Sequence, residues 1–274
     1  MVYGQNRGSL DSVLNLACSI AAYANIRNNQ QQEYDVNNTF LYSGDLQLVN
    51  AFSTKLSQPS MVRTALKSSV ADNTSGTSIE FSGEERGFYF YSLKTNYKLR
   101  PSSTIRMPFV EINPICKFYY KTSTNIGSGQ YKGVFQRNYD FQPDKFVPAG
   151  VFTIRDQKVL IGQSNVPDVP ENFTHTIVIG QDNDVRYSVN GNLIASNEEK
   201  AKVIWRTFEL DVTISNFKSK PVRGQLDFFG AIQTNIDHTT CDGLKVKANS
   251  INLPFELNSG ENTVCRFTVT LTWG

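Results

Sequence analysis

Histidine is nearly missing from this chain. Only His175 and His238 occur among 274 residues, which leaves little material for acid–base catalysis near neutral pH. Charge is sparse as well: 19% of residues are charged, and 27 basic against 25 acidic side chains leave +2. That balance supplies no field to draw nucleic acid or an anionic membrane. No apolar run approaches the ~20 residues of a helical membrane span, so none is expected. The first residues lack a basic segment leading into a continuous apolar one, so no signal peptide is expected either. An intracellular setting follows, cytoplasmic or within a particle assembled inside a cell.

Cysteine is scarce and scattered. Cys18, Cys116, Cys241 and Cys265 form no C-x-x-C pair, and four in a chain of this length are expected to be buried thiols. Three stretches fit the glycosylation acceptor pattern: Asn37-Asn38-Thr39, Asn73-Thr74-Ser75 and Asn172-Phe173-Thr174. Without a secretory route they read as chance matches in an Asn-rich chain.

Catalytic signatures are absent too. There is no Gly-x-Ser-x-Gly elbow and no Cys/His pair close in sequence. Gly127 to Gly133 matches a phosphate loop by count but lacks the Gly-Lys-Ser/Thr ending and the helix after it. Asp237-His238-Thr239-Thr240-Cys241-Asp242 is one arm of a zinc site without the other. Asp182 and Asp184 are spaced like calcium ligands but lack the remaining carboxylates. No catalytic residue, cofactor or metal is expected.

What is present is strand. From Pro148 the chain reads Val151 to Arg155, a polar break at Asp156-Gln157-Lys158, then Val159 to Gly162, which is a hairpin signal. A Pro-bounded loop (Pro167, Pro170), the strand His175 to Ile179 and an expected turn at Gly180 to Asp184 follow. In Thr207 to Ser215 and in Val264 to Trp273, apolar and polar residues alternate strictly, so one face meets a core and the other meets water. Residues 9–26 give the one helical signal: Leu10, Val13, Leu14, Ala17, Ala21 and Ala24 recur at three- and four-residue steps, with Ser9 or Asp11 as cap. The expected fold is all-β: an N-terminal helix and linker over 1–34, a larger antiparallel β domain over 35–200, and an immunoglobulin-like β-sandwich over 201–274.

The order of several pieces resembles a known family. Pro148-Ala149-Gly150 leads through a strand–turn–strand to Gly162. Gly180-Gln181-Asp182-Asn183-Asp184-Val185 follows, then Ile214 to Val222 with Asn216, Lys220 and Pro221, and the closing Leu257-Asn258-Ser259-Gly260-Glu261 turn before Thr263 to Trp273. Over about residues 85–274 this is similar to the C-terminal domain of unknown function of mucoidy-inhibitor-A-like proteins. The N-terminal domain and coiled coil of the long bacterial members have no counterpart, nor has the Trp-x-Pro-x-Tyr-type opening segment. The resemblance implies an all-β fold and no established activity.

Aromatic strands such as Phe88-Tyr89-Phe90-Tyr91 and Phe118-Tyr119-Tyr120 present rings on both faces. Tyrosines there pack in a core or meet a partner. Leu10, Val13, Leu14, Tyr89, Tyr91, Tyr119 and Tyr131 are the candidate contact surface. The expected function is non-catalytic: a structural protein that touches copies of itself or other proteins, such as a component of a virus-encoded particle or an intracellular crystalline body. A glycan- or surface-binding module is the second reading, and a hydrolase using scattered carboxylates the third.

Overall fold

A computed structural model describes residues 16–43 and 79–273, apart from interruptions at 86–87, 94–95, 157, 200–201, 232 and 248. Every regular element among the described residues is a strand. The first are β1 (Leu16–Ala17), β2 (Ile20–Arg27), β3 (Tyr34–Val36), β4 (Thr39–Ser43), β5 (Ile79–Glu85), β6 (Phe88–Leu93), β7 (Tyr97–Leu99) and β8 (Thr104–Ile112). Next come β9 (Ile115–Asn125), β10 (Gly129–Gln142), β11 (Gly150–Asp156), β12 (Val159–Val166), β13 (His175–Glu199) and β14 (Lys202–Asn216). The chain ends with β15 (Val222–Phe229), β16 (Gln233–Thr239), β17 (Lys245–Lys247), β18 (Ser250–Leu257) and β19 (Asn262–Thr272).

The expected helix over 9–26 is corrected in its described part. β2 pairs antiparallel with β8 from Ile20↔Ile112 to Arg27↔Thr104. Ile20, Ala22, Ala24 and Ile26 alternate onto a core, so a period of two underlies a segment whose alanines favour helix. Leu10, Val13 and Leu14 lie outside the described residues. The segment after it is fastened rather than a free linker. Asn28, 4% exposed, donates from Nδ2 to the carbonyls of Gln32 (2.7 Å), Leu99 (3.2 Å) and Arg100 (3.0 Å).

The large sheet runs β16-β19-β14-β13-β10-β9-β15-β18-β17, with β1 beside β9. All its pairings are antiparallel except β15 on β9. Asn197, Glu198 and Glu199 end β13 and pair with the start of β14, and strands from both sides of this polar stretch share the sheet. In a flat sheet β15 and β19, five steps apart, would be separated by about 24 Å. Instead the rings of Phe228 and Phe267 meet edge to face with centroids 5.3 Å apart. The sheet therefore curls back on itself, and its end strands β16 and β17 come against each other.

Two cores result. Inside the curl lie Phe208, Leu210, Val212 and Ile214 of β14 and Cys265, Phe267, Val269 and Leu271 of β19, facing Leu226, Phe228, Ile251 and Leu253. The alternation read from the sequence places these side chains. The second core gathers Ile20, Tyr91, Leu93, Ile112, Phe141, Val147, Ile154 and Ile177, with side chains from the β2–β8 pair and the β11–β12 hairpin. The three long strands β9, β10 and β13 contribute to both. Each core contains a disulfide: Cys18–Cys116 in the second and Cys241–Cys265 in the first, with Cα separations of 6.0 Å and 4.9 Å. These separations suit a disulfide, and the expectation of buried free thiols is thereby corrected. Spacing along the chain carried no sign of the pairing, because the partners are 98 and 24 positions apart.

Candidate functional site

The turn expected at Gly180 to Asp184 is a bulge within β13. Phe135 pairs with Asp182 and Val134 with Arg186, so Asn183, Asp184 and Val185 have no partner on β10. Gly180 takes φ of +102°, a backbone that glycine adopts without the Cβ penalty. Short polar residues after a glycine suit a bulge as well as a turn, which is why composition misplaced it. The bulge bends β13 where the two cores meet.

It also aims Asp182 at two donors. Asp182 Oδ2 accepts from Tyr120 Oη and from Lys218 Nζ, each at 3.0 Å, while Oδ1 accepts the Asp184 amide at 3.1 Å. Lys218 belongs to the turn between β14 and β15 and lies 3.7 Å from Asp184 Oδ2. The same turn is held to the bulge by the Phe217 amide on the Asp184 carbonyl, 2.8 Å. Partial burial of Asp182 works against its charge, but hydrogen bonds from Lys218, Asp184 and Tyr120 prevail and hold its carboxyl below the ordinary 3.8. Burial, then the Asp182 charge, pushes the Tyr120 phenol above its usual 10. Tyr139 is raised to about 12, by burial first and Asp156 second. Arg137 reaches the Ile179 carbonyl through Nη2 at 3.3 Å and opposes both tyrosine shifts.

Tyr119, next along β9, points the other way. Its hydroxyl donates to Asp140 Oδ1 at 3.0 Å, and Thr176 Oγ1 donates to the same oxygen at 2.6 Å. Burial followed by Asp140 raises this phenol to about 12. Tyr119 borders an open groove of about 410 Å³ with Arg223, Gln225, Pro254 and Glu256, in which Arg223 and Glu256 form an ion pair at 2.8 Å. A second cavity, in the second core between Ile20, Tyr139 and Phe141, is about 20 Å³, the size of one water.

The remaining candidate residues are dispersed. Tyr91 is 3% exposed and is a core side chain, not a surface one. Tyr89 stacks on Phe146 against the same core. Tyr131 packs at the edge of the first core and donates to the Ser128 carbonyl at 2.9 Å. Of the four tyrosines Tyr119 alone borders the groove, and the structure assembles no common patch from them.

His175 packs edge to face on Phe141, and burial lowers its pKa from 6.5, with Asp140 opposing. Asp237 accepts Thr270 Oγ1 at 2.6 Å, and Cys241 is bound to Cys265. Among the described residues no three His, Cys, Asp or Glu side chains gather as metal ligands, and no helix is long and apolar enough to cross a membrane. The Asp182–Lys218–Tyr120 cluster escaped sequence reasoning. Its members stand 36 and 62 positions apart, and the Gly-x-Asp-x-Asp pattern was its one visible trace. No known family, curated protein or solved structure matches this chain.

Proposed function

We propose that this protein is non-catalytic and acts through contacts, foremost with copies of itself. The observation that carries the first half is the direction of the perturbed groups. The Asp182 carboxyl moves down, Tyr91, Tyr119 and Tyr139 move up to about 12, and His175 moves down, so each is driven away from neutrality. A general acid or base works best when it titrates near the operating pH. Here the hydrogen bonds and burial that shift these groups fix them in single protonation states, as suits a scaffold.

The second half rests on the β11–β12 hairpin. Its strands pair only with each other among the described residues, and Val151 and Leu160 are 68% and 53% exposed on it. A strand edge with free N–H and C=O groups and exposed apolar residues is a template for pairing with another chain. A second copy related by a two-fold axis presents the same edge in return. The curled sheet is a β-sandwich of immunoglobulin-like kind in this reading, which the Phe228–Phe267 contact supports. The likeness to the mucoidy-inhibitor-A-like C-terminal domain belongs to the same proposal, as does the role of a particle or crystalline-body component. Size-exclusion chromatography with light scattering over a hundred-fold concentration range tests it, since a constant monomer mass defeats self-association.

The Tyr119 groove supports a second reading, a glycan-binding module. A tyrosine flanked by Arg223, Gln225 and Glu256 offers a ring for the apolar face of a sugar and hydrogen-bonding groups for its hydroxyls. Calorimetric titration with oligosaccharides at millimolar concentration tests it, and absence of heat for all of them would retire the idea.

A further inference from the structure

The disulfides change what the three glycosylation acceptor patterns mean. All four cysteines are paired, and each is buried to 8% exposure or less. Disulfides form and persist in oxidising surroundings: secreted and extracellular proteins, the lumen of the secretory pathway, the bacterial periplasm and the surfaces of particles. Cysteines kept as thiols in a reducing cell have no reason to meet in two pairs, one in each core.

We propose that this chain matures along an oxidising secretory route and carries N-linked oligosaccharide at Asn37 and Asn172. The third pattern, at Asn73, lies outside the described residues. Asn37 sits in the exposed connection between β3 and β4. Asn172 occupies the turn after Pro170 with φ of +61°, a conformation that asparagine tolerates better than most residues. Its backbone is pinned: the amide donates to the Pro143 carbonyl at 2.8 Å, and its own carbonyl accepts Gln142 Nε2 at 2.8 Å. The side chain remains outside, where Nδ2 touches the exposed Glu171 carboxylate at 3.2 Å. Phe173 and Thr174 are exposed as well. An oligosaccharide at either position projects into water and displaces no core residue.

The donor is an oligosaccharide linked through a diphosphate to a lipid. A bond forms between Asn Nδ2 and the anomeric carbon of the first sugar as the bond from that carbon to the diphosphate oxygen breaks. The lipid diphosphate leaves with the electron pair, and one amide proton passes to a base of the transferring enzyme. Neither site requires a group from this chain beyond the Asn amide and the hydroxyl of Thr39 or Thr174.

The test is peptide mass mapping, without reduction, of the chain isolated from its natural source, before and after an amidase that removes N-glycans and leaves Asp. The expected result is oligosaccharide on the peptides holding Asn37 and Asn172, in a chain whose digest also yields the cross-linked Cys18–Cys116 and Cys241–Cys265 peptides. Oligosaccharide on one peptide keeps that site and removes the other. Unmodified asparagine at both, or free thiols at all four cysteines, overturns the proposal. In a eukaryotic secretion line, Asn172→Gln and Thr174→Ala should each remove the same single glycan, and so should Asn37→Gln at its site. Secreted, disulfide-linked wild-type chain with no glycan at either asparagine overturns it as well.

Discussion

Lys218 Nζ meets the Asp182 carboxylate at 3.0 Å across 36 positions of sequence, tying the β14–β15 turn to the bulge in β13 where the two cores adjoin. Removing the ammonium by Lys218→Ala leaves a partly buried carboxylate with two donors in place of three. The expected loss is about 1–3 kcal/mol, read as a lower urea midpoint at unchanged slope. An unchanged midpoint would mean that solvent screens the pair as it screens surface ion pairs.

Stability should fade on both sides of a neutral plateau. Asp182 titrates below 3.8 in the fold, so its contribution is present above that value and disappears as pH falls through the lower folded pKa. His175 titrates below 6.5, and its contribution likewise shrinks as the unfolded chain takes up a proton below 6.5. Tyr119 and Tyr139 are raised to about 12, so theirs is complete below 10 and lost between 10 and about 12. Thermal scans across pH should show this plateau, and Asp182→Asn should flatten the acid limb. A variant as acid-sensitive as wild type would remove Asp182 from that role.

The core at the curl should respond to one ring. Phe228 is fully buried against Phe267, and Phe228→Ala is expected to cost about 3–5 kcal/mol. Phe217 is 65% exposed, with the Arg186 guanidinium over its ring, and Phe217→Ala should cost at most about 1 kcal/mol. Chemical denaturation of the two variants side by side checks the contrast, and similar losses would contradict it.

Each disulfide should matter, to a different degree. In the loop-entropy picture Cys18–Cys116, spanning 98 positions, stabilises by roughly 1 kcal/mol more than Cys241–Cys265, spanning 24. The paired variants Cys18→Ser with Cys116→Ser, and Cys241→Ser with Cys265→Ser, are each expected to lose about 2–5 kcal/mol. Wild-type stability in both pairs would show that the bonds do not form.

What was legible in the sequence was what repeats locally. Phe208 to Ile214 and Cys265 to Leu271 announce their buried face by alternation, and Val151 to Gly162 announces its hairpin. What was not legible depends on partners far along the chain. Ala21 and Ala24 suit a helix until β8 arrives to pair with β2. Asn216, 1% exposed, looks like an ordinary turn residue, yet its Nδ2 donates to Lys220 and Asn258 carbonyls at 2.8 and 2.7 Å and joins two turns. Asp182 gives no sign of Tyr120 or Lys218. Each of these contacts depends on strands and turns brought together from far along the chain, which is a property of the whole set rather than of any one.

Sedimentation velocity of the full chain, from low micromolar to millimolar concentration, bears most directly on action by contact. Self-association that rises with concentration, and that weakens when Val151→Lys places a charge on the β11–β12 edge, is the expected result. A single monomeric species across that range, unchanged by the substitution, would contradict it.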